Sequence, residues 1–241
     1  MGRTNPMNPS SPATRFFEWN GEKGIVRYYD KQAKHNVEVG LNFTFIPLEI
    51  MSRVKGFNTG QEASVWSNEV KNISREPLTV KIGNRVIAQG YYSEIKEAVN
   101  ANGGKFSLSL YIAFKNESDE LQIGNIAFSG AALSAWLDFK EQAGEDLWKK
   151  AVQIVDCEEG KKGSIVYQTP VFRLKDITPD TDEQAGELQK TVQQWIAQKP
   201  GSDEVSGSGG DMASGMDNPG LDNPETDPSE PEKPDNDGLP F

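Results

Sequence analysis

Residues 105–115 read KFSLSLYIAFK, with large apolar side chains at Phe106, Leu108, Leu110, Ile112 and Phe114, and with Ser107, Ser109, Tyr111 and Lys115 between them. A period of two is the mark of a strand that turns one face to a core and the other away from it. On this reading Tyr111 points outward with the serines and Lys115. Residues 37–45, VEVGLNFTF, read the same way: Val37, Val39, Leu41, Phe43 and Phe45 share a core face, while Glu38, Asn42 and Thr44 share the other.

Outward from these two segments, the chain from Arg15 to about Ile177 reads mostly as strands bounded by Gly, Asn and Asp turn signals. The further candidates are RFFEW, GIVRYY, EIMSRVKGF, ASVWS, LTVKI, RVIAQGYY, ELQIGNIAF, AVQIVDC, SIVYQ and VFRLKDI, and the VEVGLNFTF strand is expected to run from His35 to Ile46. Helical spacing interrupts them at SEIKEAVNAN and at GAALSAWLDFKEQ, where Ser129 is the expected N-cap and Leu133, Trp136 and Leu137 share a face. A third helix, within residues 179–199, carries Ala185, Leu188, Val192, Trp195 and Ile196 on one stripe, expected to pack on its own β domain. Many strands and few helices predict a mainly β domain, a barrel or a sandwich, over residues 15–178. Residues 1–14 are rich in Pro, Asn, Ser and Thr and residues 200–241 in Pro, Gly, Ser and acidic side chains; both lack apolar surface to offset the entropy of ordering and are expected to be disordered.

Charge is distributed unevenly. The 241 residues carry a net −11, yet from Gly201 onward eleven acidic residues face one lysine, Lys233. Residues 1–115 hold fifteen Lys and Arg against ten Asp and Glu. A basic first half joined to an acidic tail points toward nucleic acid. A lone cysteine, Cys157, rules out an intrachain disulfide and implies a reducing compartment, with the cytoplasm as the expected location. No apolar run is long enough for a membrane span, and the first residues lack the apolar stretch of a secretory signal.

The outward strand faces carry the functional signal. Arg53, Lys55 and Phe57 fall on one face together with Met51, Trp66 lies with Ser64 and Asn68, Lys81 points away from Leu78, Val80 and Ile82, and Tyr111 lies with Lys115. Cations that follow phosphates, interleaved with rings on which any base can stack, are what single-stranded nucleic acid requires. The competing reading is that a loop or helix covers Trp66 and Tyr111 and that the cations are simply solvated.

Enzymatic chemistry has little to build on. His35 is the only histidine, Cys157 sits in an alternating strand without an imidazole partner, and NGGKFS lacks the spacing of a phosphate-cradling loop and reads as a hairpin turn. A nuclease using carboxylate-bound metal stays open as an alternative, but no cofactor is expected.

The chain ends KPDNDGLPF. A Gly/Ser/Pro linker, an acidic run and a terminal Pro-Phe resemble the C-terminus of bacterial single-stranded DNA-binding proteins, with Asp235, Asp237, Leu239, Pro240 and Phe241 at the matching places and Asn236 and Gly238 interrupting the acidic run. The body is similar in style to the divergent single-stranded DNA-binding proteins of tailed phages. That resemblance implies an OB-like Greek-key β-barrel with additional strands and two to three short helices, no enzymatic activity, and sequence-tolerant binding of single-stranded DNA during replication, recombination and repair. It also implies that the tip of the tail recruits replication, recombination or repair proteins, with Phe241 and its carboxylate docking in a basic apolar pocket. The expected DNA-binding residues, Arg53, Lys55, Phe57, Trp66, Lys81, Tyr111 and Lys115, come from the strand faces alone. A protein-interaction adaptor whose tail is its ligand is the alternative of a different class.

Overall fold

A computed structural model describes residues 11–198. Eleven strands and three α-helices follow in the order β1 (Arg15–Asn20), β2 (Ile25–Asp30), β3 (His35–Gly40), β4 (Thr44–Asn58), β5 (Ala63–Ser67), β6 (Leu78–Ile82), β7 (Arg85–Gly90), α1 (Tyr92–Ala101), β8 (Gly104–Lys115), β9 (Leu121–Ser129), α2 (Ala131–Ala143), a 3-10 turn (Gly144–Trp148), β10 (Ala151–Lys162), β11 (Ile165–Lys175) and α3 (Pro179–Ala197). The chain is mainly β, as its alternation predicts.

All strands belong to one mixed sheet with the order β3-β2-β1-β9-β8-β4-β5-β6-β7, from which the β10–β11 hairpin branches at the start of β4. The β1–β9 pair is parallel, and the other ladders are antiparallel. The sheet curls until β11 reaches the β1–β2 turn, where the Gln168 N–H donates to the Gly21 carbonyl at 2.6 Å and the Trp19 indole N–H to the Gln168 carbonyl at 2.8 Å. Among the described residues no ladder continues across that contact, so the sheet is not closed.

Apolar layers cover both sides of its centre. On one side Phe45, Leu110, Ile112, Phe114, Ile126 and Phe128 pack under α2, whose fully buried Trp136 stacks on Phe128 with ring centroids 5.5 Å apart. Burying a side chain of that size contributes about 1.5–3 kcal/mol. Farther along the same side, α1 lays Tyr92, Ile95 and Val99 on Val54, Val65 and Val80. On the opposite side α3 docks its predicted stripe, Ala185, Val192 and Ile196 with Leu188 and Trp195, on Ile46, Leu48, Met51, Tyr111 and Ile123.

That docking corrects the outward placement of Tyr111. Its side chain is 2% exposed and its ring lies 5.4 Å from that of Trp195. Alternation marks two faces of a strand, and a strand covered by helices on both sides has no face for water. Ser107 and Ser109 are buried with it, while Lys115, beyond the end of α3's cover, is exposed.

Several expected strand boundaries also shift, and RVIAQGYY ends as a strand at Gly90 because Tyr92 begins α1. The segment from His35 to Ile46 divides at Asn42, whose φ of +67° turns the chain and whose N–H donates to the Ile154 carbonyl at 2.7 Å. The second half then runs through Pro47 into EIMSRVKGF as a single strand. A proline is tolerated there because the β4–β8 register slips between Pro47 and Glu49, a bulge that takes up one residue. The slip exchanges the faces: Phe45 and Ile50 share the α2 side, Ile46 and Met51 the α3 side. SIVYQ and VFRLKDI likewise merge as β11 across Pro170, on a strand that pairs on one side only. Gly130, with φ +57°, replaces Ser129 as the cap of α2, and Asn102-Gly103 closes α1 instead of forming a hairpin turn.

Candidate nucleic-acid interface

Where α3 ends its cover, the same side of the sheet is open. Register places four side chains in one row across it: Lys105 on β8 stands directly opposite Lys55 on β4, Lys55 opposite Trp66 on β5, and Trp66 opposite Lys81 on β6. Val54, Val65 and Ile82, their chain neighbours, face the other way into the α1 core. Sequence alternation therefore orients Lys55, Trp66 and Lys81 correctly, and pairing brings them together.

Trp66 is 44% exposed and Phe57 54%. Phe57 pairs with Ser64, two residues from Trp66, so the two rings are diagonal neighbours with Cα atoms ~7–8 Å apart. The indole is held: its N–H donates to the Gly83 carbonyl at 3.2 Å, and the Lys81 ammonium stands 5.3 Å from the ring centroid. An exposed cation–π contact contributes about 0.5–1 kcal/mol, and a stacked base about 1–3 kcal/mol. A base can replace the ammonium, which then becomes available to a phosphate.

Close backbone packing presents this row. Gly56, between Lys55 and Phe57, lies against Gly103 and Gly104, and a Cβ on Gly56 would run into the Gly103 carbonyl and come within 2.8 Å of the Gly104 Cα. Gly103 in turn holds φ at +78°. The glycines let the end of α1 meet β4 and deliver Lys105 to the row.

Lys105 is not among the residues that strand alternation singles out. Its alternation with Phe106 is visible in KFSLSLYIAFK, but only the β4–β8 register shows that it faces Lys55. Like charges directly opposite on an antiparallel pair oppose folding. Glu18 on β1 offsets part of that cost: its carboxylate accepts from Lys55 at 2.8 Å and from the Arg27 guanidinium at 2.8 Å. Burial pushes the Glu18 carboxyl up, but the hydrogen bonds and charges of Lys55 and Arg27 outweigh it and hold the group below the usual carboxylate range. Glu18 and Lys55, joined by their ion pair, line a groove of about 450 Å³ together with Lys105, Ser107, Ala127 and Ser129.

Other expected residues lie elsewhere. Arg53 shares the face of Lys55 but is largely covered, its Nη1 3.3 Å from a Glu69 carboxylate oxygen. Glu69 also accepts from the Tyr111 hydroxyl at 2.8 Å and from the Ser109 hydroxyl. Arg53 and Tyr111 thus hold a nearly buried carboxylate, and burial pushes the Tyr111 hydroxyl far up. Lys115 is ten residues from Lys105 along β8, ~33 Å at the rise of a strand, and pairs with Asp119 at 2.9 Å. Asp235, Asp237, Leu239, Pro240 and Phe241 lie outside the described residues.

His35 is exposed at the start of β3 and Cys157 is half-buried on β10. Among the described residues no three His, Cys, Asp or Glu side chains cluster so as to hold a metal ion, and no helix is long and apolar enough to cross a membrane. Comparison with protein families, with curated proteins and with solved structures finds no match to this chain.

Proposed function

We propose that this chain binds single-stranded DNA without marked sequence preference, as a non-enzymatic protein of replication, recombination or repair. The observation that carries the reading is the row Lys105–Lys55–Trp66–Lys81, in which two lysines oppose each other and an exposed indole carries the Lys81 ammonium over its ring. A lysine pair of this kind opposes folding and favours an anion, and the adjoining rings offer stacking without base-edge readout. The curled, unclosed sheet is compatible with a divergent OB-like barrel that has gained strands.

In this reading the acidic C-terminus, ending Leu239-Pro240-Phe241, is a ligand for partner proteins. Deleting those three residues should leave oligonucleotide binding intact or stronger and abolish partner capture. An adaptor that binds only protein would lose its partner without ever having bound DNA.

The primary test is a titration with oligo-dT and with duplex of equal length at low salt. Tight binding of the single strand, weakening steeply as salt is added, is expected. Failure to bind oligo-dT at low salt would refute the reading.

A further inference from the structure

Beyond Glu18 the open face continues onto β1 and β2. Phe16 lies two residues before Glu18 and therefore on the same side, beside Asn125 in the parallel β1–β9 ladder. Arg27 is directly opposite Glu18, and Tyr29 follows it by two. The β1–β2 ladder ends at Phe17 and Tyr28, and continuing its register by one step brings Phe16 opposite Tyr29. The two rings are 46% and 57% exposed. Their chain neighbours Phe17 and Tyr28 turn inward and meet edge to face at 5.6 Å. An exposed aromatic pair beside a guanidinium repeats, on β1 and β2, the chemistry of Phe57, Trp66 and the lysines.

The two patches are joined. From β5 to β2 there are five strand steps in the sheet, ~24 Å at ~4.8 Å per step, and the row of Phe16, Asn125 and Tyr111 is offset by six residues from the row of Trp66, Lys55 and Lys105, a further ~20 Å along the strands. The groove over Ser107, Ser129 and Ala127 occupies the ground between them. Glu18 stands at its edge, but two cations share its charge, so it is not an isolated negative barrier.

We infer that Phe16, Arg27 and Tyr29 form a second stacking and phosphate-binding subsite for the same nucleic-acid strand that lies on Trp66 and Phe57. This rests on the binding function proposed above and extends it to the length of strand engaged. A footprint of this span fits within the ~4–16 nucleotides that one fold of this kind can occupy.

The test uses the full chain, with oligo-dT of about 5 and about 15 nucleotides, lengths near the two ends of that range. The double variant Phe16→Ala/Tyr29→Ala should bind the longer oligomer about ten-fold more weakly, or worse, and the shorter one within about two-fold of wild type, since the short strand is satisfied at Trp66. Replacing both rings by Trp should restore the long-oligomer affinity. Equal loss at both lengths, no loss at either, or failure of the Trp pair to restore binding in a chain with unchanged melting temperature would overturn the inference. If wild type binds neither length, it is the underlying function that has failed.

Discussion

The Lys81 ammonium stands 5.3 Å from the centroid of the Trp66 ring, while the indole N–H is tied to the Gly83 carbonyl. The ring is anchored at its N–H, and the ammonium over it is a side chain that can leave. Trp66→Ala should therefore weaken oligo-dT binding by about 1–3 kcal/mol, the contribution of one stacked base. In wild type, part of the tryptophan emission should be quenched on binding, and that part should be missing from the variant. Fluorescence titration of both proteins checks this.

Salt dependence separates phosphate contacts from bystanders. Each of Lys55→Ala, Lys81→Ala and Lys105→Ala should reduce the slope of log affinity against log salt by about 0.7, the value for one phosphate contact on a single strand. Lys115→Ala, at the far end of β8, should leave the slope unchanged. Titrations at several salt concentrations decide between the two behaviours.

Tyr111 and Trp66 should respond in opposite ways. Tyr111→Phe removes a donor from the nearly buried Glu69 carboxylate, so a loss of about 1.5–3 kcal/mol in denaturant unfolding is expected. Oligonucleotide affinity measured well below the unfolding midpoint should not change. A large loss of affinity without loss of stability would place Tyr111 in contact with DNA after all.

Gly56→Ala should be among the most damaging small substitutions on β4. Its Cβ would meet the backbone of Gly103 and Gly104, neither of which can rotate away. A lower melting temperature is expected together with weaker binding, because separating β4 from the end of α1 also breaks the Lys55–Lys105 row. Calorimetry with a parallel titration measures both.

Glu18 links stability to pH. Its carboxyl is held low in the folded chain, so the stability due to its pairs with Lys55 and Arg27 is present above the ordinary carboxylate range and is lost as pH falls through the lowered value. Glu18→Gln should flatten the acid limb of the stability profile. The same change should strengthen oligo-dT binding near neutral pH, since Lys55 and Arg27 no longer serve an internal anion.

Strand content, the third helix with its apolar stripe, and the facing of Lys55, Trp66 and Lys81 are all legible along the chain. Each of these depends on local periodicity, and periodicity is a property of neighbours along the chain. It could not decide what lies over a face. Tyr111 and Trp66 look alike in sequence, each an aromatic among serines, yet α3 covers the first and leaves the second open. Nor could it show that Lys105 opposes Lys55, or that Glu18 reaches across to it, because those relations follow from strand order and register. The β4 bulge exchanges the two faces within a single strand, so alternation counted through Pro47 misassigns everything beyond it. The candidate site exists because non-local pairing lines up residues that are individually unremarkable.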